Sequence, residues 1–227
     1  MEQYCIITNR SWGLGMVDRL KHERRDAEWK SLITDEFCVF DGSRYVFYLF
    51  WSDKVPKRLT DRGNCIGFHL CAGKYTAGGT PVQNAIAKGY TEGLIKAFIM
   101  DDGIDTGKVI GVSPVSLNGS AEEIYLRMAD VMYWMIIDII NGEVKPLTCA
   151  NQAVGGKRFK RRKPEDSRIK QGSLVEIYDQ IRMVDAEGYP NAFIDHDGYR
   201  YEFSRASLKT DHIAADVKIT EVLDGKV

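Results

Sequence analysis

The chain has 227 residues, of which 44% are hydrophobic and 28% charged, and its formal net charge is -1. A chain of this length can bury a substantial core, either as one domain or as a large domain with a small one. The balanced charge excludes a protein that coats nucleic acid over its whole surface, although it is compatible with a local basic patch. The five cysteines are widely spaced, without a Cys-x-x-Cys pair, and so predict reduced thiols rather than disulfides or a metal site.

The ends and the longest apolar stretch of the chain argue against a membrane protein. No basic start followed by a long apolar segment opens the sequence. The apolar region from Met128 to Ile140 is interrupted by Asp130 and Asp138, and it is too short to span a bilayer. We therefore predict a soluble, cytoplasmic protein with no membrane partner.

Apolar runs alternate with polar, helix-compatible stretches through the first two thirds of the chain. The runs predict strands at Tyr4–Thr8, Phe37–Phe40, Tyr45–Trp51, Cys65–His69, Leu94–Met100 and Val109–Val112. Between them, Val17–Ile33 and Thr80–Lys88 are predicted to be helical. This alternation predicts an α/β fold with a largely parallel sheet.

The clearest helix follows Ser120. Ser120 and Glu123 form a capping-box pattern, and Gly142 supplies a stop. Apolar residues at helical spacing then predict one buried face, which comprises Ile124, Met128, Val131, Met135 and Ile139.

The character of the chain changes after Pro146. Six of the seven residues in 157–163 are basic. A smaller unit follows, with a helix predicted at Leu174–Met183, strands at Ala192–Asp195, Tyr199–Ser204 and Ala214–Val222, and a hairpin turn at His196-Asp-Gly198. We therefore predict a catalytic domain over residues 1–165 and a small C-terminal α+β subdomain over residues 166–227.

Two polar segments follow apolar runs and stand out as a candidate site. His69 lies at the end of one run, and Asp105 lies in the Gly-containing turn after another. Pockets of α/β folds form where strands end, so the two side chains are candidates for one cleft. The alternative is that both residues are structural: the histidine caps a strand, and the aspartate belongs to an ordinary Asp-Gly turn. Cys71, two residues from His69, is a candidate nucleophile or ligand, but a small core thiol explains it more simply.

Several segments, in the same order, resemble the folate-dependent formyltransferase family. They are Phe68-His69, Gly78-Gly79-Thr-Pro81-Val-Gln83-Asn84, Ile104-Asp105-Thr-Gly107, Leu117-Asn-Gly-Ser120 and Phe159-Lys-Arg-Arg162-Lys-Pro164-Glu-Asp with Ile181-Arg182 and Tyr189-Pro190. The last group resembles most closely the members that formylate nucleotide-linked amino sugars. The resemblance implies a Rossmann-like core, the donor N10-formyltetrahydrofolate as co-substrate and an amine acceptor.

The resemblance also implies roles for individual residues. His69 and Asp105 are the expected catalytic pair, in which the imidazole stabilises negative charge on the formyl oxygen. Folate contacts are expected from Trp51, Ser52, Met100, Asp101, Asp102 and Gly103. Contacts to the acceptor are expected from Gly78, Gly79, Gln83, Lys160, Arg161 and Arg162, the arginines being suited to phosphate.

One departure from the family pattern bears on activity. The asparagine expected two residues before the histidine is replaced by Gly67, while Asn64 lies five residues before it. Removal of one oxyanion donor typically costs on the order of a hundred- to a thousand-fold in rate.

We therefore expect a formyltransferase for a nucleotide-linked amino sugar, and we do not expect a nucleic acid partner. A formyltetrahydrofolate hydrolase or another one-carbon enzyme, a tRNA-directed formyltransferase, and a folate- or nucleotide-binding protein without turnover are the alternatives. A homodimer is left open.

Overall fold

A computed structural model describes residues 1–34, 42–143 and 155–222 of the chain. The predicted strand at Phe37–Phe40 lies outside these residues. Eleven strands are present in the described part: β1 (Glu2–Ile7), β2 (Ala27–Leu32), β3 (Ser43–Tyr48), β4 (Cys65–Cys71), β5 (Tyr75–Gly78), β6 (Glu92–Ile99), β7 (Lys108–Ser116), β8 (Lys157–Phe159), β9 (Ala192–His196), β10 (Tyr199–Leu208) and β11 (Ile213–Glu221). The helices are α1 (Ser11–Glu23), α2 (Lys57–Thr60), α3 (Pro81–Ile86), α4 (Ala121–Asn141) and α5 (Leu174–Arg182), with a 3-10 helix at Pro164–Ser167.

The central sheet has six strands in the order β2-β1-β3-β4-β6-β7. The pairs β1–β2, β1–β3 and β3–β4 are parallel, whereas β6 runs antiparallel to both of its neighbours. Cys5, Ile6 and Ile7 of β1 have no exposed surface, as expected for a strand that is covered on both faces of a parallel sheet. The predicted α/β fold with a mostly parallel sheet is thereby confirmed.

Helix α4 begins and ends where the sequence predicts. Ser120 Oγ accepts a hydrogen bond from the Glu123 amide at 3.2 Å, and Glu123 Oε2 accepts one from the Ser120 amide at 2.7 Å. Gly142 ends the helix at a φ of 71°, a conformation that favours glycine. The predicted apolar face is buried, except that Val131 is only half-buried.

The helix predicted at Val17–Ile33 is wrong in both bounds. Helix α1 begins at Ser11, and residues Ala27–Leu32 form strand β2 instead. Trp29 anchors this segment as a strand of the sheet: its ring is buried, and its centroid lies 5.0 Å from that of the Tyr4 ring on β1. The strand predicted at Tyr45–Trp51 ends earlier, at Tyr48, because Phe50 takes a left-handed φ of 53°.

The C-terminal elements form a three-stranded antiparallel sheet in the order β11-β10-β9, with helix α5 packed on β10. The predicted turn is present, with φ of 49° at Asp197 and 79° at Gly198, the type I′ geometry of a tight hairpin. Arg182 of α5 donates from Nη1 to the carbonyl oxygens of Leu117 and Gly119, both at 2.7 Å. These bonds fasten the unit to the loop before α4, and the boundary near residue 165 stays a prediction.

No helix in residues 1–34, 42–143 and 155–222 combines the length and the apolar character that a membrane crossing requires.

Candidate functional site

A cavity of about 560 Å³ opens between the end of β3, strand β4 and the basic run at 157–163. Its walls come from eight separate segments of the chain. The walls include Arg10, Trp12, Phe50, Trp51, Ser52, Gly67, His69, Gly78, Gly79, Gln83, Met100, Gly103, Asp105, Tyr125, Arg161, Arg162 and Tyr189.

The structure brings His69, which lies inside strand β4 rather than at its end, together with Asp105 of the loop after β6 on this wall. The imidazole Nδ1 lies 3.3 Å from Asp105 Oδ1, and the His69 side chain is only 7% exposed. Asp105 Oδ2 accepts a hydrogen bond from the Gly78 amide at 2.8 Å. The other imidazole nitrogen, Nε2, is buried and has no hydrogen-bond partner among the described residues. It is therefore available to a molecule in the cavity.

Asp105 is held as a carboxylate. Burial alone would raise the pKa of Asp105, but the hydrogen bond and charge of His69, the Gly78 amide and the charge of Lys96 together lower this pKa below its usual value. At neutral pH the site therefore contains a fixed negative charge beside the imidazole.

Three loops at the cavity contain non-glycine residues with left-handed backbone. Phe50, Thr80 and Asp105 have φ of 53°, 45° and 57°, and all three line the cavity. Such conformations cost about 1–3 kcal/mol each and concentrate at functional sites, where the surrounding structure enforces them. The three strained residues therefore lie where a functional site would need its loops held in a fixed conformation.

Gly67, two residues before His69, supplies no side-chain amide. A Cβ built on Gly67 would lie 2.7 Å from Phe98 Cζ and 3.2 Å from Met100 Cγ, so these two side chains occupy the space. Asn64 does not substitute, because its Nδ2 donates to the carbonyl oxygen of Ser43 at 2.9 Å and the residue does not line the cavity.

The predicted folate contacts are brought together only in part. Trp51, Ser52, Met100 and Gly103 line the cavity, and Trp51 Nε1 is buried without a described partner. Asp101 and Asp102 do not line it, and their contact to folate stays a prediction. Asp101 Oδ1 accepts from the Gly103 amide at 2.9 Å and so shapes the turn, while Asp102 pairs with Lys54 Nζ at 2.8 Å on the surface.

The predicted acceptor contacts are also mostly at the cavity. The cavity is lined by Gly78, Gly79, Gln83, Arg161 and Arg162. Lys160 does not line it, and its contact to the acceptor stays a prediction. Lys160 instead offers its carbonyl oxygen to Asn84 Nδ2 at 2.7 Å.

Close packing against the basic run explains the paired glycines. A Cβ on Gly78 would lie 2.3 Å from the Phe159 carbonyl oxygen, and one on Gly79 would lie 2.8 Å from Arg161 Cβ. Strand β8 of the run pairs in parallel with β5, and the Phe159 ring stacks on Tyr75 at 4.3 Å. The basic run at 157–163 is therefore packed against the protein and forms part of the cavity wall, and it is not a solvated connector.

An aromatic wall was not found from the sequence. Trp12 stacks on Tyr125 at 4.3 Å between ring centroids, and Tyr125 stacks on Tyr189 at 5.7 Å. Gln83 Nε2 donates to the Tyr125 hydroxyl at 3.1 Å, so the Gln83 amide is partly committed to the protein itself. These residues come from distant parts of the chain, and no local pattern joins them.

Cations outnumber acids around the cavity. Arg10, Lys54, Arg158, Arg161, Arg162 and Lys163 line it, against Asp53 and Asp105. Arg10 and Arg161 form no ion pair with any described carboxylate.

Cys71 is no candidate nucleophile, because burial raises the pKa of its thiol to about 11.

A methionyl-tRNA formyltransferase from Clostridium thermocellum has a closely similar structure. The two share 34% sequence identity with a TM-score of 0.89, over 97% of this chain and 100% of that chain. The chain belongs to the formyltransferase family. A family model described as the C-terminal domain of methionyl-tRNA formyltransferase also matches, at residues 164–220.

Curated relatives in other bacteria are longer than this chain. The methionyl-tRNA formyltransferase of Wolinella succinogenes is 21% identical over 96% of this chain, which spans 68% of that enzyme. The next three relatives, which have the same name, are spanned over 51–60% of their lengths.

These comparisons correct the expected acceptor. A 4-N formyltransferase from Francisella tularensis shares the fold, but at 17% identity and a TM-score of 0.67 over 89% of this chain and 96% of that one. The closeness to sugar-modifying members is therefore wrong, and with it the expectation that nucleic acid is no partner. Another structural neighbour is HypX from Aquifex aeolicus, which was solved with tetrahydrofolic acid. It shares the fold at 13% identity and a TM-score of 0.69, over 89% of this chain and 37% of that one.

Proposed function

We propose that this protein transfers a formyl group from N10-formyltetrahydrofolate to the amino group of methionyl-tRNA. One observation carries the proposal: His69 directs a buried nitrogen without a described partner at a cavity of about 560 Å³, while its other nitrogen faces the Asp105 carboxylate.

The donor supplies an activated formyl carbon. Transfer forms a bond from the acceptor nitrogen to this carbon, breaks the bond to N10, and moves one proton from the attacking amine to N10. Negative charge builds on the formyl oxygen meanwhile, and a hydrogen bond from His69 Nε2 stabilises charge that exists only near the transition state.

Asp105 supports this hydrogen bond in two ways. Its carboxylate fixes the imidazole through Nδ1, and its negative charge offsets the positive charge that the imidazole carries when both nitrogens donate. A carboxylate at this position can also take the amine proton through a water molecule.

The cavity is suited to a pterin. Trp51 presents a flat ring with an indole Nε1 that has no described partner, and Met100 and Phe98 add apolar surface to the same wall. An indole N–H that is buried without a partner costs free energy, and a ligand acceptor removes that cost.

The names of the relatives support a tRNA acceptor, and so does the charge of the cavity. Arg10, Arg161 and Lys163 are directed at this opening, and cations without carboxylate partners are free to neutralise phosphates.

The test is a formylation assay with methionyl-tRNA and N10-formyltetrahydrofolate, in which formylmethionyl-tRNA is counted after acid precipitation. We expect transfer by the wild type, a loss of about a thousand-fold in kcat for His69→Ala, and wild-type rates for His212→Ala, which changes an exposed histidine of the C-terminal unit. Formate release without an acceptor, or no transfer at all by the wild type, contradicts the proposal.

A further inference from the structure

A buried lysine stands directly opposite the histidine of the candidate site. In the antiparallel pairing of β4 with β6, His69 is the partner of Lys96 and Gly67 is the partner of Phe98. Directly paired residues project from the same face of a sheet, with Cβ atoms about 5 Å apart. Lys96 is only 3% exposed.

The surroundings of Lys96 do not compensate its charge in the usual way. Its Nζ donates to the main-chain oxygen of Asp105 at 2.6 Å and lies 5.0 Å from the centre of the Phe98 ring. No described carboxylate forms an ion pair with it. Burying an ammonium group is costly unless it is paired, and burial accordingly lowers the pKa of Lys96. If the side chain at this position only filled space, methionine would do so at a smaller cost in the free energy of folding.

The hydrogen bond from Lys96 is accepted by Asp105, a residue with a strained, left-handed backbone conformation. Asp105 has a φ of 57°, and its three oxygens have three different partners: the carbonyl oxygen accepts from Lys96, Oδ1 faces His69 and Oδ2 accepts from Gly78. Because the carbonyl oxygen is fixed, the carboxylate is aimed at the imidazole.

We infer that Lys96 is a positioning residue for formyl transfer, which holds Asp105 in the conformation that orients His69 and supplies positive charge behind the pair. The inference rests on the proposed function. At position 67 the space is occupied by Phe98, which lies on the same strand as Lys96, and by Met100.

The charged and titratable groups that face Asp105 are few. His69 and Cys71 come from β4 and Lys96 comes from β6, while Arg158 of β8 interacts with Lys96. The Cys71 thiol stays neutral at assay pH, because burial raises its pKa to about 11. Arg158 donates to the carbonyl oxygen of Ile104 at 3.0 Å and does not bond to Asp105. In the described part of the chain, only His69 and Lys96 bring positive charge to Asp105, so no other cation replaces the charge that Lys96→Met removes.

The test compares Lys96→Met, Lys96→Arg, Asp105→Asn and the Lys96→Met/Asp105→Asn double variant, with Lys108→Met on the exposed face of neighbouring β7 as the control. We expect Lys96→Met to lower kcat by about 10- to 100-fold, the equivalent of one hydrogen bond from a charged donor, with little change in KM for the folate. Lys96→Arg, which keeps the charge, should recover part of the rate. The double variant should be no slower than Asp105→Asn, because Lys96 acts through Asp105.

Two further measurements separate this role from a structural one. Thermal unfolding of Lys96→Met should show a cooperative transition above the assay temperature, so that a lower kcat reflects the site and not a loss of fold. Carbon NMR of the Asp105 carboxyl should show a higher pKa in Lys96→Met than in the wild type. The NMR titration needs no turnover, so it tests Lys96 even if the wild type formylates no tRNA.

Wild-type kcat in Lys96→Met, an unmoved Asp105 pKa, or a double variant whose loss is the product of the two single losses would overturn the inference. Lys96→Gln, which keeps an N–H donor but not the charge, takes the place of Lys96→Met if that variant does not fold.

Discussion

The ring of Phe98 lies against Gly67 so closely that a Cβ on the glycine would be 2.7 Å from Phe98 Cζ. The two residues are direct partners in the β4–β6 register, and both line the cavity. A side chain at position 67 and an aromatic ring at position 98 therefore exclude each other. The Phe98 ring fills the space that a side chain at position 67 would need.

This pairing predicts that Gly67→Ala destabilises the protein. The added methyl group must displace the ring in a well-packed sheet, at a cost of about 1–3 kcal/mol in the free energy of unfolding. Phe98→Leu should relieve part of that cost, so the double variant should be more stable than the sum of the single effects predicts. Urea denaturation of the three variants measures this coupling.

A glycine on the neighbouring strand provides the control. A Cβ on Gly111 would lie 3.5 Å from Met135 Cε, an ordinary contact, so Gly111→Ala should be neutral or stabilising. Equal losses for Gly67→Ala and Gly111→Ala, or strict additivity with Phe98→Leu, would show that the ring does not fix the identity of residue 67.

The elements that the sequence predicts correctly carry local signals. The capping box of Ser120 and Glu123 and the stop at Gly142 lie within or next to the helix that they bound. The closeness of His69 and Asp105 agrees with the expectation of one cleft but not with its reason: β4 and β6 are antiparallel, so their carboxyl ends lie at opposite edges, and His69 lies inside β4 beside the loop that follows β6. The segment 27–32 was wrongly predicted to be helical. It is an edge strand, which is polar along much of its length, and such a pattern is also compatible with a helix.

Residues that depend on register or on distant packing were not predictable. Lys96 lies inside an apolar run, and its relation to Asp105 follows only from the antiparallel pairing of β6, which the alternation of the sequence does not reveal. Trp12, Tyr125 and Tyr189 meet across more than 170 positions of chain. Their contact is set by how α1 and α4 pack, and no spacing in the sequence records it.

The ionised state of Asp105 predicts an acid-dependent loss of stability. Its folded-state pKa lies below the usual 3.8, so its contribution is fully present above pH 3.8 and is lost as the pH falls through the lower folded-state value. Asp105→Asn lacks this contribution at every pH. The wild type should therefore exceed the variant in stability at pH 7, and the difference should shrink as the pH falls below about 4.

Thermal unfolding between pH 7 and pH 3 measures this difference. Asp18→Asn, on the exposed side of α1, controls for the removal of one acid. A constant difference between the wild type and Asp105→Asn over this range would mean that the interactions of the carboxylate do not favour its ionised form.

The uncompensated cations of the cavity predict how tRNA binding responds to salt. Each phosphate that a protein cation neutralises steepens the dependence of log K on log salt by about 0.9 for duplex and about 0.7 for single strands. Arg161 lines the cavity without an ion pair to a described carboxylate. Arg161→Ala should therefore weaken tRNA binding and reduce the salt slope by about one.

Filter binding of initiator tRNA over a range of KCl concentrations measures the slope. Lys21→Ala, on the exposed side of α1 away from the cavity, should leave it unchanged. His69→Ala should also keep the wild-type slope, because that side chain is buried and acts on the formyl group rather than on phosphate. If Arg161→Ala and Lys21→Ala have the same slope as the wild type, the cations of the cavity do not contact the tRNA backbone, and the acceptor must reach His69 along another surface.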